Sequence, residues 1–437
     1  MAIIGIDFGS SFSTVSWINP LSNKPEAVKF NGDGSVKMPS LIFFTQDGFH
    51  YGFQAAEYFD EISVLPQEQR MEYLPNFIPG LKRRLLNESD TEWFFGKPYS
   101  HRQLLQLFLE HIIEQAKQHC GIDYHIDRVV ISHPVDFPKV SLLRDALSAL
   151  GFNDVQTEFE PVSAVKGYGL DHEIRDNDGI LVFDFGGGTI DVAFVQKRFG
   201  DLIVVTEPRG NSNCGGQDID LAIYENLRKQ LKNEFSIDIS PNGGINQVLL
   251  SACRRLKEKF SGGYDSYETN VLLPIHGRLQ TYKYRLNRDS FNSIIYPIVS
   301  KAINVADLVI REVKEKGIEI SKILLIGGSS QLTLIRERLA SLVGLETTIE
   351  TCGEKDIVVA LGNIADQIDS FYISPHNQEE EVLWAYPTEE PLNEKRAISC
   401  IKCGSRNCFH FVSRIGYHCL DCGWEGSNVI LTYNNLL

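Results

Sequence analysis

Two segments of this chain are near-copies of each other, and together they restrict the fold more than any other feature. The first is Ile4-Gly5-Ile6-Asp7-Phe8-Gly9-Ser10-Ser11-Phe12-Ser13-Thr14-Val15 and the second is Leu181-Val182-Phe183-Asp184-Phe185-Gly186-Gly187-Gly188-Thr189-Ile190-Asp191-Val192. Each is an apolar strand ending in Asp-Phe-Gly, then a run of small residues, then a second β-branched strand. Small residues in the turn let backbone N–H groups approach phosphate oxygens that larger side chains would hold away. That places Gly9, Ser10, Ser11 and Phe12 in one candidate cradle and Gly186, Gly187 and Gly188 in the other. Asp7 and Asp184 at the hairpin mouths suit the water shell of a hard divalent cation. Two such hairpins facing each other would clamp a nucleotide tail and its metal from both sides.

A lone Asp-Phe-Gly is an ordinary strand end. It also occurs in protein kinases, but no His-Arg-Asp loop precedes either copy here. The duplication, joined by a third motif, favours the phosphate reading. That motif is Ile323-Leu324-Leu325-Ile326-Gly327-Gly328-Ser329-Ser330, with Leu332, Leu334 and Ile335 following at helical spacing. A buried strand feeds a Gly-Gly-Ser turn that opens a helix. The bare Gly327 and Gly328 leave room for a flat ring or a ribose, and a helix N-terminus favours negative charge.

At 437 residues, with 43% hydrophobic and 23% charged residues, the chain has the composition of a soluble globular protein large enough for two lobes and an appendage. A net charge of −15 argues against broad nucleic-acid binding by the body of the protein. No apolar run suggests a membrane span, and the N-terminus runs straight into a strand without a basic leader, so a cytoplasmic protein is expected. Arg102 to Cys120 and Arg288 to Lys316 carry helical apolar stripes, and Arg128-Val129-Val130-Ile131-Ser132 reads as a buried strand ended by Pro134. Alternating strands and helices around two repeated hairpins predict an α/β fold of two related lobes.

Nine cysteines fall into two groups. Cys120, Cys214, Cys253 and Cys352 are scattered through core-like segments and read as free buried thiols. The other five crowd into the last forty or so residues, as a separate module would place them. Cys400-Ile401-Lys402-Cys403-Gly404 and Cys419-Leu420-Asp421-Cys422-Gly423 are two Cys-x-x-Cys-Gly knuckles at zinc-ribbon spacing. Two intervening residues let both thiolates reach one metal. Cys400, Cys403, Cys419 and Cys422 are the expected zinc ligands, with Cys408, His410 and His418 as substitutes the set does not need. A redox pair would require only one such motif, and disulfides are uncommon in the cytosol.

In order from residue 2 to about residue 370, the sequence resembles the nucleotide-binding domain of the heat-shock protein 70 (DnaK-like) chaperones, within the actin-like and sugar-kinase ATPase superfamily. Beyond the hairpins, the resemblance rests on Met38-Pro39-Ser40-Leu41-Ile42, Leu81-Lys82-Arg83-Arg84-Leu85, Gly215-Gly216-Gln217-Asp218-Ile219-Asp220, Glu160-Pro161-Val162-Ser163-Ala164 and Ala360-Leu361-Gly362. It implies a two-lobed actin-like ATPase fold of duplicated ribonuclease-H-like domains over 1–370, binding ATP or ADP with magnesium and, as a further cation, potassium. By position, Asp7, Asp184 and Asp191 would hold the magnesium waters and orient the attacking water. Lys82 would face the γ-phosphate, Glu160 would be a further acid, and Thr189 would supply a hydroxyl beside the γ-phosphate. Gly215, Gly216, Arg254, Lys257, Glu258, Ser261, Ser329, Gln331 and Asp356 would surround the nucleoside.

The chain departs from that family in its nucleoside helix. Arg254 and Glu258 share a face with their charges exchanged relative to the family, and Gln331 stands where an arginine is expected, so Arg254 is a candidate to replace part of the lost stacking. Asp136 replaces an expected tyrosine after Pro134. After Ser370 a tether and ribbon are expected in place of the family's peptide-binding sandwich. Residues 371–397 read as an acidic Pro- and Glu-rich tether and 398–437 as the zinc ribbon. The expected function is an ATP-hydrolysing chaperone-type protein whose nucleotide state controls a protein partner through tether and ribbon. Nucleic acid is expected only at the ribbon, and no membrane contact is expected. The alternatives are a nucleotide-sensing adaptor that does not hydrolyse, and a small-molecule kinase on the same fold.

Overall fold

The computed structural model describes residues 2–30, 34–63, 65, 69, 72–85, 91–121, 125–134, 137–211, 213–237, 245–275, 278–352 and 357–367, and the backbone of five short strands between 396 and 433. Ten strands of the two principal sheets are numbered here in chain order. The first sheet contains β1 (Ile3–Phe8), β2 (Phe12–Asn19), β3 (Lys24–Ala27), β4 (Arg128–His133) and β5 (Asp154–Phe159), in spatial order β5-β4-β1-β2-β3. The second contains β6 (Gly179–Phe185), β7 (Ile190–Arg198), β8 (Asp201–Val204), β9 (Lys322–Ile326) and β10 (Thr348–Thr351), in order β10-β9-β6-β7-β8. Both orders are the same path. In each lobe the duplicated hairpin pairs antiparallel with itself and its first strand pairs parallel with a later one. The near-copies in the sequence are therefore the same structural unit in two mixed sheets.

The central strands are apolar almost throughout because both faces are covered. Over the first sheet lies α1 (His101–Cys120), which starts at a reciprocal cap: Ser100 Oγ accepts from the Gln103 N–H at 3.3 Å, and Gln103 Oε1 accepts from the Ser100 N–H at 2.9 Å. Its buried face includes Leu104, Leu105, Phe108, Ile112 and Ala116. The second lobe's core is built around α3 (Gly216–Phe235), α4 (Ile245–Ser261) and α5 (Arg288–Glu315). Among the described residues, α5 alone is long and apolar enough by composition to cross a membrane. Its Phe291, Ile295, Val299, Ile303, Val309 and Val313 are buried in the lobe core, which accounts for that composition.

Two short helices exchange lobes. The chain leaves β5 of the first lobe into α2 (Glu160–Tyr168), whose Val162 and Val165 pack with Val182, Val195 and Leu324 of the second sheet. It leaves β10 of the second lobe for α6 (Val358–Asn363), which lies against β1 and β2 of the first. The helices cross at backbone contact. A Cβ on Gly362 would collide with the Ser163 carbonyl, and one on Gly167 with the Val358 carbonyl. Lys166 of α2 also reaches Asp366 just past α6 at 2.6 Å.

Of the C-terminal segment, Arg396–Cys400 pairs antiparallel with Val429–Tyr433, and Cys408–His410 with Tyr417–Cys419, which pairs in turn with Glu425–Gly426. Cys403, Cys422 and the tether up to residue 395 lie outside the described residues, as do Asp136 and Asp356. Gly362→Ala should push the crossing helices apart and lower unfolding stability by about 1–3 kcal/mol, as overpacking of a tight contact does. A urea midpoint unchanged from wild type would contradict backbone contact at that crossing.

Candidate active site

The ends of β1 and β6 bring the two hairpins face to face. A Cβ on Gly187 would collide with Ser11 Oγ, so the turns approach each other directly across the cleft. The first turn is fastened by Ser40: its Oγ donates to the Gly9 carbonyl at 2.7 Å, and its N–H donates to the Ser11 carbonyl at 2.9 Å. The second is fastened by the other glycine-rich segments. The Gly186 carbonyl accepts from the Gly216 N–H at 2.9 Å and from Ser329 Oγ at 3.0 Å, and the Gly187 carbonyl accepts from the Gln217 N–H at 2.8 Å. Gly327 has φ 78°, a left-handed conformation that glycine adopts without strain, and a Cβ there would stand 2.8 Å from Asp184 Oδ1. Gly9, Ser10, Ser11, Gly186, Gly187, Gly188, Gly215, Gly216, Gly327, Gly328 and Ser329 thus belong to one set of adjoining turns.

The acids gather at the same place. Asp184 and Asp191 are directly opposite each other on β6 and β7. Glu160 opens α2, and its carboxylate meets the Lys82 ammonium at 2.5 Å, both side chains about nine-tenths buried. Burial pushes the Asp7 carboxyl up to about 7, with Glu160 adding to the rise and Lys82 opposing it. Burial also holds Asp184 well above the usual carboxylate range, reinforced by Glu160, Asp191 and Asp7. Burial disfavours the charged form of Lys82, but Glu160, Asp7 and Asp191 outweigh it and hold the ammonium above its ordinary range. Four carboxyl groups therefore crowd around the Lys82 ammonium, an arrangement that could hold a divalent ion. Among the described residues no three His, Cys, Asp or Glu side chains converge as direct metal ligands. Thr189 closes the second turn, its carbonyl accepting from the Gly186 N–H at 3.1 Å.

Lys257 of α4 is also near. Its ammonium donates to the Gly216 carbonyl at 2.9 Å and pairs with Asp220 at 2.8 Å. Burial lowers the Lys257 pKa and raises that of Asp220, each partly offset by the other. Arg254 and Glu258 form the exposed ion pair that their spacing suggested, at 3.3 Å. The Arg254 guanidinium stands 5.5 Å from the Phe12 ring centroid, so it reaches the first hairpin across the cleft mouth, where Lys37 flanks the same ring at 5.4 Å. Ser261 Oγ is turned back onto the Lys257 carbonyl at 3.1 Å, and Gln331 donates to Ser330 Oγ at 3.2 Å. Cys214, Cys253 and Cys352 are buried free thiols, while Cys120 is only half-buried. Asn363 was not singled out in the sequence, although its amide donates to the Ile6 carbonyl of the first hairpin.

The family model described as Hsp70 protein matches residues 84–372, more than half of the chain. The chain belongs to the Hsp70 family. Among its relatives is the Chaperone protein DnaK of Thermosipho melanesiensis, 27% identical over 369 residues that cover 82% of this chain and 58% of the relative. The Chaperone protein DnaK of Ureaplasma parvum serovar 3 is 27% identical over 368 residues, covering 82% of this chain and 57% of the relative. This Hsp70-family chain thus spans less than three fifths of the length of those relatives. The matched region holds the second hairpin, the exchanged helices and the Gly-Gly-Ser turn, in mixed sheets consistent with the Hsp70 and actin-like ATPase fold.

The raised Asp7 pKa has a measurable consequence. Folding lifts this carboxyl from 3.8 to about 7, so the folded protein holds a proton that the unfolded chain releases between those values. Its stabilising contribution is complete below about pH 4 and is lost as pH rises to about 7. Relative to an Asp7→Asn variant, unliganded wild type should lose about 2–3 kcal/mol of stability between about pH 5 and about pH 8. A difference independent of pH, in denaturant titrations of both proteins, would contradict the burial of Asp7.

Proposed function

We propose that this Hsp70-family chain binds ATP with magnesium between the two hairpins and hydrolyses it slowly. The observation that carries this reading is the buried Lys82–Glu160 pair, 2.5 Å apart, set among Asp7, Asp184 and Asp191 where the two turns meet. Magnesium, when bound, would neutralise charge on the phosphate chain. Asp7, Asp184 and Asp191 hold its waters. Lys82, kept cationic by its carboxylates, stabilises charge gathering on the γ-phosphate oxygens, and Glu160 fixes the direction of that ammonium. Thr189 offers a hydroxyl beside the γ-phosphate, and the small residues of both turns present backbone N–H groups. Gly215, Gly216, Lys257, Gly327, Gly328 and Ser329 line the way toward the ribose, with Glu258, Ser261 and Gln331 further out.

The reading extends to the C-terminal segment. Cys400, Cys403, Cys419 and Cys422 form a zinc ribbon that folds on its metal, joined by an acidic tether. Nucleotide state, through movement of the lobes, controls a protein partner that tether and ribbon recognise. The order of Cys-x-x-Cys-Gly knuckles in the sequence supports this, as does the antiparallel pairing of short strands carrying Cys400, Cys408 and Cys419. A sensor that binds ATP without hydrolysis is the rival reading.

Lys82→Ala should slow phosphate release roughly 10²–10³-fold or more, the loss seen when one stabilising charge is removed from a transition state. Steady turnover in wild type that Lys82→Ala leaves unchanged would overturn the assignment, and binding without turnover would favour the sensor. Metal analysis should find one tightly held zinc, released by the double change Cys400→Ser and Cys419→Ser while ATP binding persists. Chelator-free protein without zinc would refute the ribbon.

A further inference from the structure

Asn363, at the end of α6, is 5% exposed and uses both ends of its amide. Its Oδ1 accepts from Ser163 Oγ at 2.6 Å. Its Nδ2 donates to the Ile6 carbonyl at 2.9 Å and to Ser132 Oγ at 3.2 Å. The Ile6 carbonyl can only accept, which fixes the nitrogen end of the amide toward it. Ser163 belongs to α2, the helix that Glu160 opens. Ile6 immediately precedes Asp7, and Ser132 stands opposite Asp7 in the parallel register of β1 and β4. One buried side chain therefore joins the helix that carries the partner of Lys82 to the strand that carries Asp7.

The surrounding backbone makes this junction stiff. A Cβ on Gly5 would stand 2.6 Å from Ser16 Oγ, 2.7 Å from the Ala360 carbonyl and 2.9 Å from Asn363 Cβ, so α6 lies close against β1. Ser16 Oγ adds a bond to the Ala360 carbonyl on the same helix. At the other contact, Gly362 rests on the Ser163 carbonyl. By chain order α6 follows the second lobe, yet it is docked on the first. Any rotation of one lobe on the other turns α2 against α6 at the point where Asn363 holds both. Leaving a buried amide or carbonyl unpaired is costly, which favours keeping these bonds intact.

We infer that Asn363 is a positioning residue for the nucleotide site, transmitting the relative placement of the lobes to Asp7 through the Ile6 carbonyl. The inference rests on the reading of the cleft as an ATPase site. It is specific about what Asn363 does: it sets where the Asp7 carboxylate stands relative to Glu160 and Lys82, and it touches neither nucleotide nor metal. Loss of such support for a metal-site group lowers metal affinity or activity roughly 10- to 100-fold.

The test uses the full chain and follows ATP turnover across a magnesium titration, with thermal unfolding in parallel. Asn363→Ala should lower kcat roughly 10-fold or more and raise the magnesium concentration needed for half-maximal rate. Asn363→Asp keeps the size of the side chain but cannot donate to the Ile6 carbonyl when ionised, so it should show the same two losses even if Asn363→Ala folds poorly. Ser16→Ala is the structural control. It removes a buried bond on the same helix without touching Ile6, and should lower the unfolding temperature while leaving kcat and magnesium requirement within about twofold. Active wild type with both Asn363 variants at wild-type kcat and magnesium requirement overturns the inference alone. So does a Ser16→Ala variant that loses as much activity as they do. Wild type that binds and turns over no ATP overturns the functional reading, and the inference falls with it.

Discussion

Like charges held close and largely out of solvent govern this structure. Asp7, Glu160, Asp184 and Asp191 come from two sheets and one helix, yet their carboxyl groups act on one another and on a single ammonium, that of Lys82. Burial of so much negative charge is tolerable only where protons, a cation or tightly placed partners relieve it. The unliganded site uses the first and third of these: Asp7 and Asp184 retain protons more readily than usual, and Lys82 pairs closely with Glu160. A metal-bound polyphosphate would replace the protons with a divalent cation. Under the proposed function, affinity for such a ligand would draw on a crowding of carboxylates that the fold itself maintains.

The duplicated architecture maintains it. Each hairpin offers its acid at the mouth of a turn, and the two turns meet because α2 and α6 bind each lobe to the other's sheet. Glycine at the crossing allows the two helices backbone contact. The Asn363 amide, bonded to Ser163 and to the Ile6 carbonyl, then joins helix to strand. On the inference drawn for Asn363, the placement of the lobes and the arrangement of the acids are linked through this contact.

The hairpins, the α/β alternation and the long helices were legible in the sequence because each is encoded locally, by a repeated motif or an apolar stripe. The Arg254–Glu258 pair was legible for the same reason, being four residues apart on one helix. The long-range contacts were not. Resemblance placed Lys82 in the site, but nothing in the basic triplet around it announces its partner Glu160, 78 residues later. Arg254 finds Phe12 of the opposite lobe, a pairing that no spacing announces. Asn363 follows the recognisable Ala360-Leu361-Gly362 by one position, but its three partners lie on α2, β1 and β4. The Gly-Gly-Ser turn read as the start of a helix, whereas Gly328–Gln331 forms a separate 3-10 turn before the helix Thr333–Ala340 begins. That turn lets Ser329 bond back to the second hairpin.

The most direct test is a calorimetric comparison of ATP and adenosine binding to the same protein, with and without magnesium. If the two hairpins clamp a metal-bound phosphate chain, ATP with magnesium should bind at least about 100-fold more tightly than adenosine, a difference near 2.7 kcal/mol, and removing magnesium should erase most of it. Equal affinity for the two ligands, or an ATP affinity indifferent to magnesium, would contradict the account.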